Sequence, residues 1–142
     1  MMFYVLCGIP ASGKTTLATS LAKEINAKLY SYDVIKRNSK IGSFEDICTL
    51  IYQRINTDLS NGFNVVYDAP NEKLKYRKDI LNMTSNIVCK KILVVMATPL
   101  EQCLERNRTR KNRLPDFIIQ QSKQMFELPT LAEGWDDIEY YA

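Results

Sequence analysis

Residues 8–15, Gly8-Ile9-Pro10-Ala11-Ser12-Gly13-Lys14-Thr15, constrain this chain more than any other stretch. Gly8 and Gly13, with four residues between them, are followed directly by a lysine and a hydroxyl. A backbone that wraps a phosphate chain must turn its N–H groups inward with no Cβ in the way, which the two glycines permit. Lys14 supplies a point charge for the β- and γ-phosphates, and Thr15 offers a hydroxyl to Mg²⁺. A helix starting here, with Thr16 in its first turn, aims unpaired N–H groups and the positive end of its dipole at the same anion. The surroundings agree. Met2 to Cys7 is an apolar run of the kind that forms a buried parallel strand, and Leu17, Leu21 and Ile25 recur at helical spacing after the loop. The stretch therefore predicts a nucleoside triphosphate site.

The rest of the chain alternates strand and helix. Lys28 to Tyr32 predicts a second strand ending at Asp33, with a short polar helix from about Val34 to Asn38. Ser43 to Asp46 resembles a capping box opening a long helix, with Phe44, Ile47, Ile51, Ile55 and Leu59 as one apolar stripe before Asn61-Gly62. Phe63 to Tyr67 predicts a third strand ending in Asp68, followed by the turn Ala69-Pro70-Asn71 and a helix from Glu72 to about Met83. Lys91 to Ala97 predicts a fourth, after which Thr98, Pro99 and Glu101 supply N-cap, first-turn proline and capping-box acid. That helix is expected to run into Arg106-Asn107-Arg108-Thr109-Arg110-Lys111-Asn112-Arg113. A further helix starts near Pro115, with Ile118, Ser122, Met125 and Phe126 on one face. Pro129 to Gly134 reads as a loop and Trp135 to Tyr141 as a last strand. The pattern predicts an α/β fold: a parallel sheet of about five strands, right-handed crossovers and helices on both faces. Asp33 and Asp68 then lie at the strands' carboxyl ends, where open α/β sheets bind ligands.

Composition narrows the chemistry. With 142 residues the chain is expected to form one domain, 1–142, around a single core sheet. It contains no histidine, so proton transfer must fall to a carboxylate. A net charge of +3 is too weak to mark a nucleic-acid binder, so any basic site must be local. Cys7, Cys48, Cys89 and Cys103 lack metal-ligand spacing and mostly sit in apolar stretches. They read as small core residues of a reducing, cytoplasmic compartment, without disulfide partners. The N-terminal apolar run is too short for a secretory core or membrane span, so no membrane partner is expected.

Three chemistries fit a phosphate loop. A regulatory GTPase needs a guanine-reading Asn-Lys-x-Asp, which Asn71-Glu72-Lys73-Leu74 does not match. A motor-type ATPase presents an acidic pair after its third strand, whereas Ala69 follows Asp68 here. A small kinase needs a carboxylate to orient and deprotonate the acceptor hydroxyl, and cations to neutralise charge developing on the transferred group. Asp33 and the 106–113 segment supply both. On a continued helix Arg106, Arg110 and Arg113 share one face that could close over the triphosphate as a short lid, about 106–115; a solvated helix end is the plain alternative. Asp33 could equally cap the short helix after it. Asp68 is either a turn-forming residue or a Mg²⁺ or acceptor contact.

Several motifs together carry a resemblance to a family. Gly8 to Thr15, Ser31-Tyr32-Asp33, Asp68-Ala69-Pro70-Asn71, Glu105 to Arg110 and Phe126 to Gly134 resemble the P-loop kinase domain of polynucleotide 5′-hydroxyl kinases, across nearly the whole chain. The tail Pro129-Thr130-Leu131-Ala132-Glu133-Gly134 is its most specific part. The resemblance implies that Asp33 is the catalytic base, that Lys14 and Thr15 clamp phosphate and Mg²⁺, and that Arg110 is the lid arginine, with Arg106 one turn earlier. Where the family often places another acid after the catalytic Asp and an Arg three residues beyond it, this chain has Val34 and Lys36, with Arg37 next. No Asp-x-Asp phosphatase motif is present, so a stand-alone kinase is expected.

The expected function is ATP-dependent phosphorylation of a 5′-hydroxyl on a DNA or RNA end. Lys14, Asp33 and Arg110 act in catalysis. Gly8 to Thr16, Arg106 and Arg110 bind nucleotide; Asp33, Lys36, Arg37, Asp68 and Asn71 hold the acceptor; Thr15 and Asp68 hold Mg²⁺. The alternatives are a kinase for a small acceptor such as a nucleoside, sugar or nucleotide-sugar, and an NTP-binding regulator. The 129–134 segment either borders the nucleotide base or joins the last helix to the last strand, and Trp135 is expected to be packed.

Overall fold

The computed structural model describes residues 1–40 and 42–142. In chain order its elements are β1 (Met2–Cys7), α1 (Lys14–Glu24), β2 (Lys28–Ser31), α2 (Tyr32–Asn38), α3 (Phe44–Ser60) and β3 (Val65–Asp68). They continue with α4 (Leu74–Met83), β4 (Lys90–Met96), α5 (Leu100–Arg108), α6 (Asp116–Met125), a single 3₁₀ turn (Leu131–Glu133) and β5 (Asp137–Tyr141). The strands form one parallel sheet in the order β2-β3-β1-β4-β5. With β1 central, its carboxyl end delivers the phosphate loop to the middle of the sheet edge.

Alternation along β1 decides what each face buries. Phe3, Val5 and Cys7 pack with Ile47, Ile51, Ile55 and Leu59 of α3 and Ile80 of α4 on one face. Leu6, Val66, Ile92 and Val94 meet Ala18 and Ala22 of α1 on the other. Alanine at the two α1 contact positions lets that helix lie close to the strands, with Leu17, Leu21 and Ile25 flanking the contact. A small third cluster of Ile9, Cys103 and Ile119 joins the loop to α5 and α6. The four cysteines are free thiols, three of them buried. Among the described residues no helix is long and apolar enough to cross a membrane.

Several boundaries differ from the sequence reading. β2 stops at Ser31, and Tyr32 and Asp33 open α2 rather than close the strand. β3 begins at Val65 because Asn64 has other work: its side chain accepts from the Met2 N–H (2.8 Å) and donates to Ile25 O (2.9 Å). Thr98 does not cap α5. Its hydroxyl donates instead to Ser12 O at 2.7 Å, and the helix starts after Pro99.

α5 also ends early, at Arg108. The side chain of buried Asn107 donates to Leu114 O (2.7 Å) and accepts from the Leu114 N–H (3.0 Å), which folds the chain back. Arg106, Arg110 and Arg113 therefore do not share a helical face. In α6 the buried residue is Ile119 rather than Ile118, and Met125 is exposed.

The 129–134 segment is a joint. Thr130 and Glu133 form a capping box around the 3₁₀ turn. Glu133 also receives two hydrogen bonds from fully buried Arg77 of α4, Nε to Oε1 at 2.9 Å and Nη2 to Oε2 at 3.1 Å, and one from Trp135 Nε1 at 3.1 Å. Arg77 Nη1 donates to Asn71 O at 2.9 Å, so the knot ties the tail to the turn after β3. Burial alone pushes the Glu133 carboxyl up, but the bonds from Arg77, Trp135 and the Thr130 N–H outweigh it and hold it below its ordinary value.

Candidate active site

The phosphate loop follows β1 and is held from three sides. Gly8 donates its N–H to Pro70 O at 3.0 Å, and a Cβ at Gly8 would lie 2.8 Å from Met96 Cβ, so glycine is required by close approach to β4. Gly13, directly before α1, has φ 96°, a left-handed conformation that L side chains rarely adopt. Ser12 O accepts from Thr98 and, at 3.3 Å, from Arg106 Nη1. These bonds fix the loop's curvature without using the N–H groups at the start of α1.

Within the loop Lys14 Nζ donates to Ile9 O at 3.0 Å. Thr15 Oγ1 donates to Asp68 Oδ2 at 2.9 Å, joining the helix start to the end of β3. Both charged groups are uneasy. Burial pushes the Lys14 ammonium down, against the pull of Asp68 and Asp33. Burial pushes the Asp68 carboxyl up, against Lys14 and the Thr15 hydroxyl. A hydroxyl and a carboxylate oxygen thus meet beside the lysine. No group of three or more His, Cys, Asp or Glu that could hold a metal ion occurs among the described residues.

A cleft of about 340 Å³ opens over the loop, lined among others by Lys14, Thr15, Thr16, Asp33, Arg106 and Arg110. Residues far apart in the chain converge here, as expected, although the arginines arrive from the end of α5 and the turn after it rather than along one helix. Arg110 Nη1 and Ser12 Oγ are buried with no hydrogen-bond partner. Buried donors left unpaired are uncommon, and Arg110 lines a cleft that could pair its guanidinium with an anion. Beyond Gly13 and Arg106 a second hollow, about 470 Å³, is lined by Thr16, Leu17, Ser20, Met96 and Tyr141.

Other predicted residues lie elsewhere. Arg113 is exposed and outside the cleft lining; Lys36 and Arg37 are exposed at the end of α2 and likewise do not line it. Asn71 is buried with φ 47°, and its amide donates to Leu6 O at 2.8 Å, so that nitrogen serves the fold. The 129–134 segment does not line the cleft.

Sequence reasoning missed two features. Thr98 is a loop anchor, and nothing in a Thr-Pro-x-Glu pattern separates that from capping. Beside the cleft lies a hollow of about 240 Å³ lined by Tyr32, Phe44, Tyr52, Tyr67 and Tyr76, with Pro70 shared between the two. The i, i+4, i+8 spacing of Phe44, Cys48 and Tyr52 was its available signal, a second stripe on α3 beside the core stripe.

Comparison with known proteins agrees with the fold. The chain is 25% identical over 143 residues to the L-seryl-tRNA(Sec) kinase of Methanococcus maripaludis, covering 95% of this chain and 56% of that protein. It spans little more than half the length of the curated relatives it matches. The structure of Chaetomium thermophilum Kti12 in complex with ADP-AlF3 superposes with a TM-score of 0.78 at 19% identity, over 99% of this chain and 88% of that one. The Pnkp1/Rnl/Hen1 RNA repair complex gives 0.72 at 24% identity, over 89% of this chain and 46% of that one. The model of the family AAA_33, described as AAA domain, matches residues 3–129, and the chain belongs to this family of P-loop kinases.

Proposed function

We propose that this chain transfers the γ-phosphoryl group of ATP to a hydroxyl at a nucleic-acid end, with a 5′-hydroxyl as the acceptor. The observation that carries the proposal is the convergence of Lys14, Thr15, Asp33, Arg106 and Arg110 on one cleft. The loop N–H groups and Lys14 cradle the β- and γ-phosphates, and Arg110 Nη1 finds there the partner it lacks. The base and ribose extend into the hollow bounded by Thr16, Leu17, Met96 and Tyr141. Thr15 and Asp68, a hydroxyl and a buried carboxylate already in contact, would hold a Mg²⁺ ion. Bound there, it supplies charge neutralisation on the phosphates.

Asp33 occupies the remaining side of the cleft. As the acceptor oxygen bonds to the γ-phosphorus and the bond to the β-γ bridging oxygen breaks, the acceptor's proton passes to the Asp33 carboxylate and ADP leaves. Lys14, Arg106 and Arg110 hold the charge that spreads over the transferred group. A second reading is supported by the relative named as an L-seryl-tRNA(Sec) kinase: an acceptor hydroxyl carried on the aminoacyl end of a tRNA.

The test is transfer of labelled γ-phosphate to a short oligonucleotide with a 5′-hydroxyl, with the 5′-phosphorylated form, seryl-tRNA, free nucleosides and sugars alongside. Labelling of the 5′-hydroxyl form and not its phosphorylated control supports the first reading. Labelling confined to seryl-tRNA replaces it with the second, and labelling of small molecules alone removes the nucleic acid.

A further inference from the structure

We propose that the aromatic hollow beside the cleft binds the nucleobase of the acceptor's terminal nucleotide. This rests on the reading of the acceptor as a nucleic-acid 5′ end and adds how that end is held.

Position comes first. Pro70 lines both the cleft and the hollow, and Tyr32, on the hollow's wall, directly precedes Asp33 at the cleft. A ligand that presents a hydroxyl to Asp33 can therefore place an adjoining ring among the aromatic side chains. Size agrees. At about 240 Å³ the hollow is smaller than the ~300–1,000 Å³ typical of pockets for whole ligands, so it suits one part of a larger molecule.

The lining selects the kind of part. Phe44 is 38% exposed at the start of α3, and its ring centroid lies 5.4 Å from that of Tyr32 and 5.2 Å from that of Tyr76. Tyr52 and Tyr67 meet edge to face at 6.2 Å deeper in. A stable core would have closed over Phe44; here an apolar ring stands at the mouth of an unfilled aromatic hollow. Among the described residues its charged lining is Glu72, with no Lys or Arg, which disfavours phosphate and suits an uncharged ring.

Among the polar groups lining the hollow, the Asn71 amide is committed to Leu6 O at 2.8 Å. Five aromatic side chains dominate the lining, so recognition falls chiefly to stacking, which every nucleobase offers. The hollow is thus expected to require a base and to tolerate any of them.

The experiment compares kcat/KM for a 5′-hydroxyl oligonucleotide and for the same strand with an abasic 5′-terminal sugar. Wild-type protein is expected to prefer the base-bearing end by about tenfold, the scale of one base stacked on an aromatic side chain. Tyr76→Leu and Phe44→Leu are expected to bring that ratio towards one, while Tyr76→Phe, which keeps the ring, preserves it. A wild-type ratio near one, or an unchanged ratio in the leucine variants, overturns the proposal. If no oligonucleotide is labelled at all, the proposed function falls. The hollow is then judged by saturation transfer from protein to adenosine in the presence of ADP. Transfer lost in Tyr76→Leu keeps the hollow as a ring site; transfer absent from wild type, or undiminished in the variant, rejects it.

Discussion

Two regions of this molecule bury charge, and they treat it in opposite ways. Around Arg77 and Glu133 the donors and acceptors answer one another: a bidentate ion pair, the Trp135 indole, the Thr130 N–H and the Asn71 carbonyl close the network. Around the phosphate loop, Arg110 Nη1 and Ser12 Oγ are unpaired, and burial works against both Lys14 and Asp68. A satisfied network holds a fold together, whereas one left short of partners is arranged for something that arrives later. The contrast separates a structural joint from a binding site without reference to any relative.

The comparison can be broken by substitution. The largest effect is expected at Asp33→Asn, which keeps a hydrogen-bond acceptor but cannot take a proton: turnover falls by about 10²–10⁴-fold with ATP affinity retained. Near-normal turnover removes Asp33 from the mechanism. Arg77→Ala belongs to the other region and should act on stability, by about 3–5 kcal/mol in denaturant unfolding, because it leaves the Glu133 carboxylate without its counter-ion. A loss under 1 kcal/mol contradicts the joint.

Acid unfolding sharpens the same point. The folded Glu133 carboxyl lies below its reference value of 4.5, so its contribution is present above that pH and fades as pH falls through the folded value. Arg77→Ala should flatten that part of the stability profile. Arg110→Ala is expected to cut kcat by roughly 10²–10³-fold while leaving the unfolding midpoint within a degree or two, since it has no protein partner to strand. An equal loss of stability would move Arg110 into the structural class.

The smallest effect is at Asp68→Asn. Raised above 3.8 in the folded state, Asp68 binds more protons folded than unfolded, so stability falls as pH rises through that window. The amide removes this dependence and should raise Tm slightly at neutral pH, even as it weakens Mg²⁺-dependent turnover. A lower Tm argues that the Asp68 carboxylate serves the fold.

Much of this was legible in the chain. The apolar run Met2 to Cys7 is the buried parallel strand β1, and the glycines, lysine and threonine of residues 8–15 form the loop that follows it. The α3 stripe of Ile47, Ile51, Ile55 and Leu59 is buried as expected, because helical period and apolar burial are local properties. Phe44 stands apart: assigned to the core stripe, it proved half exposed. Thr98 was misassigned because its partner, Ser12, lies 86 residues away. The early end of α5 depended on Asn107 meeting Leu114 across a turn, and Arg110 reached the cleft only because of it.

The sequence by itself determined the phosphate loop, the parallel α/β arrangement and the identity of the charges available for phosphoryl transfer, because these follow from local backbone freedom, periodicity and residue chemistry. Only the tertiary structure decided which charges were paired. Arg77 and Arg110 look alike in a sequence; one is buried against a carboxylate brought from 56 residues away, and the other, half-buried at the cleft, has an Nη1 with no partner. Pairing is a property of distance in space, and distance in space is what the folded sheet supplies.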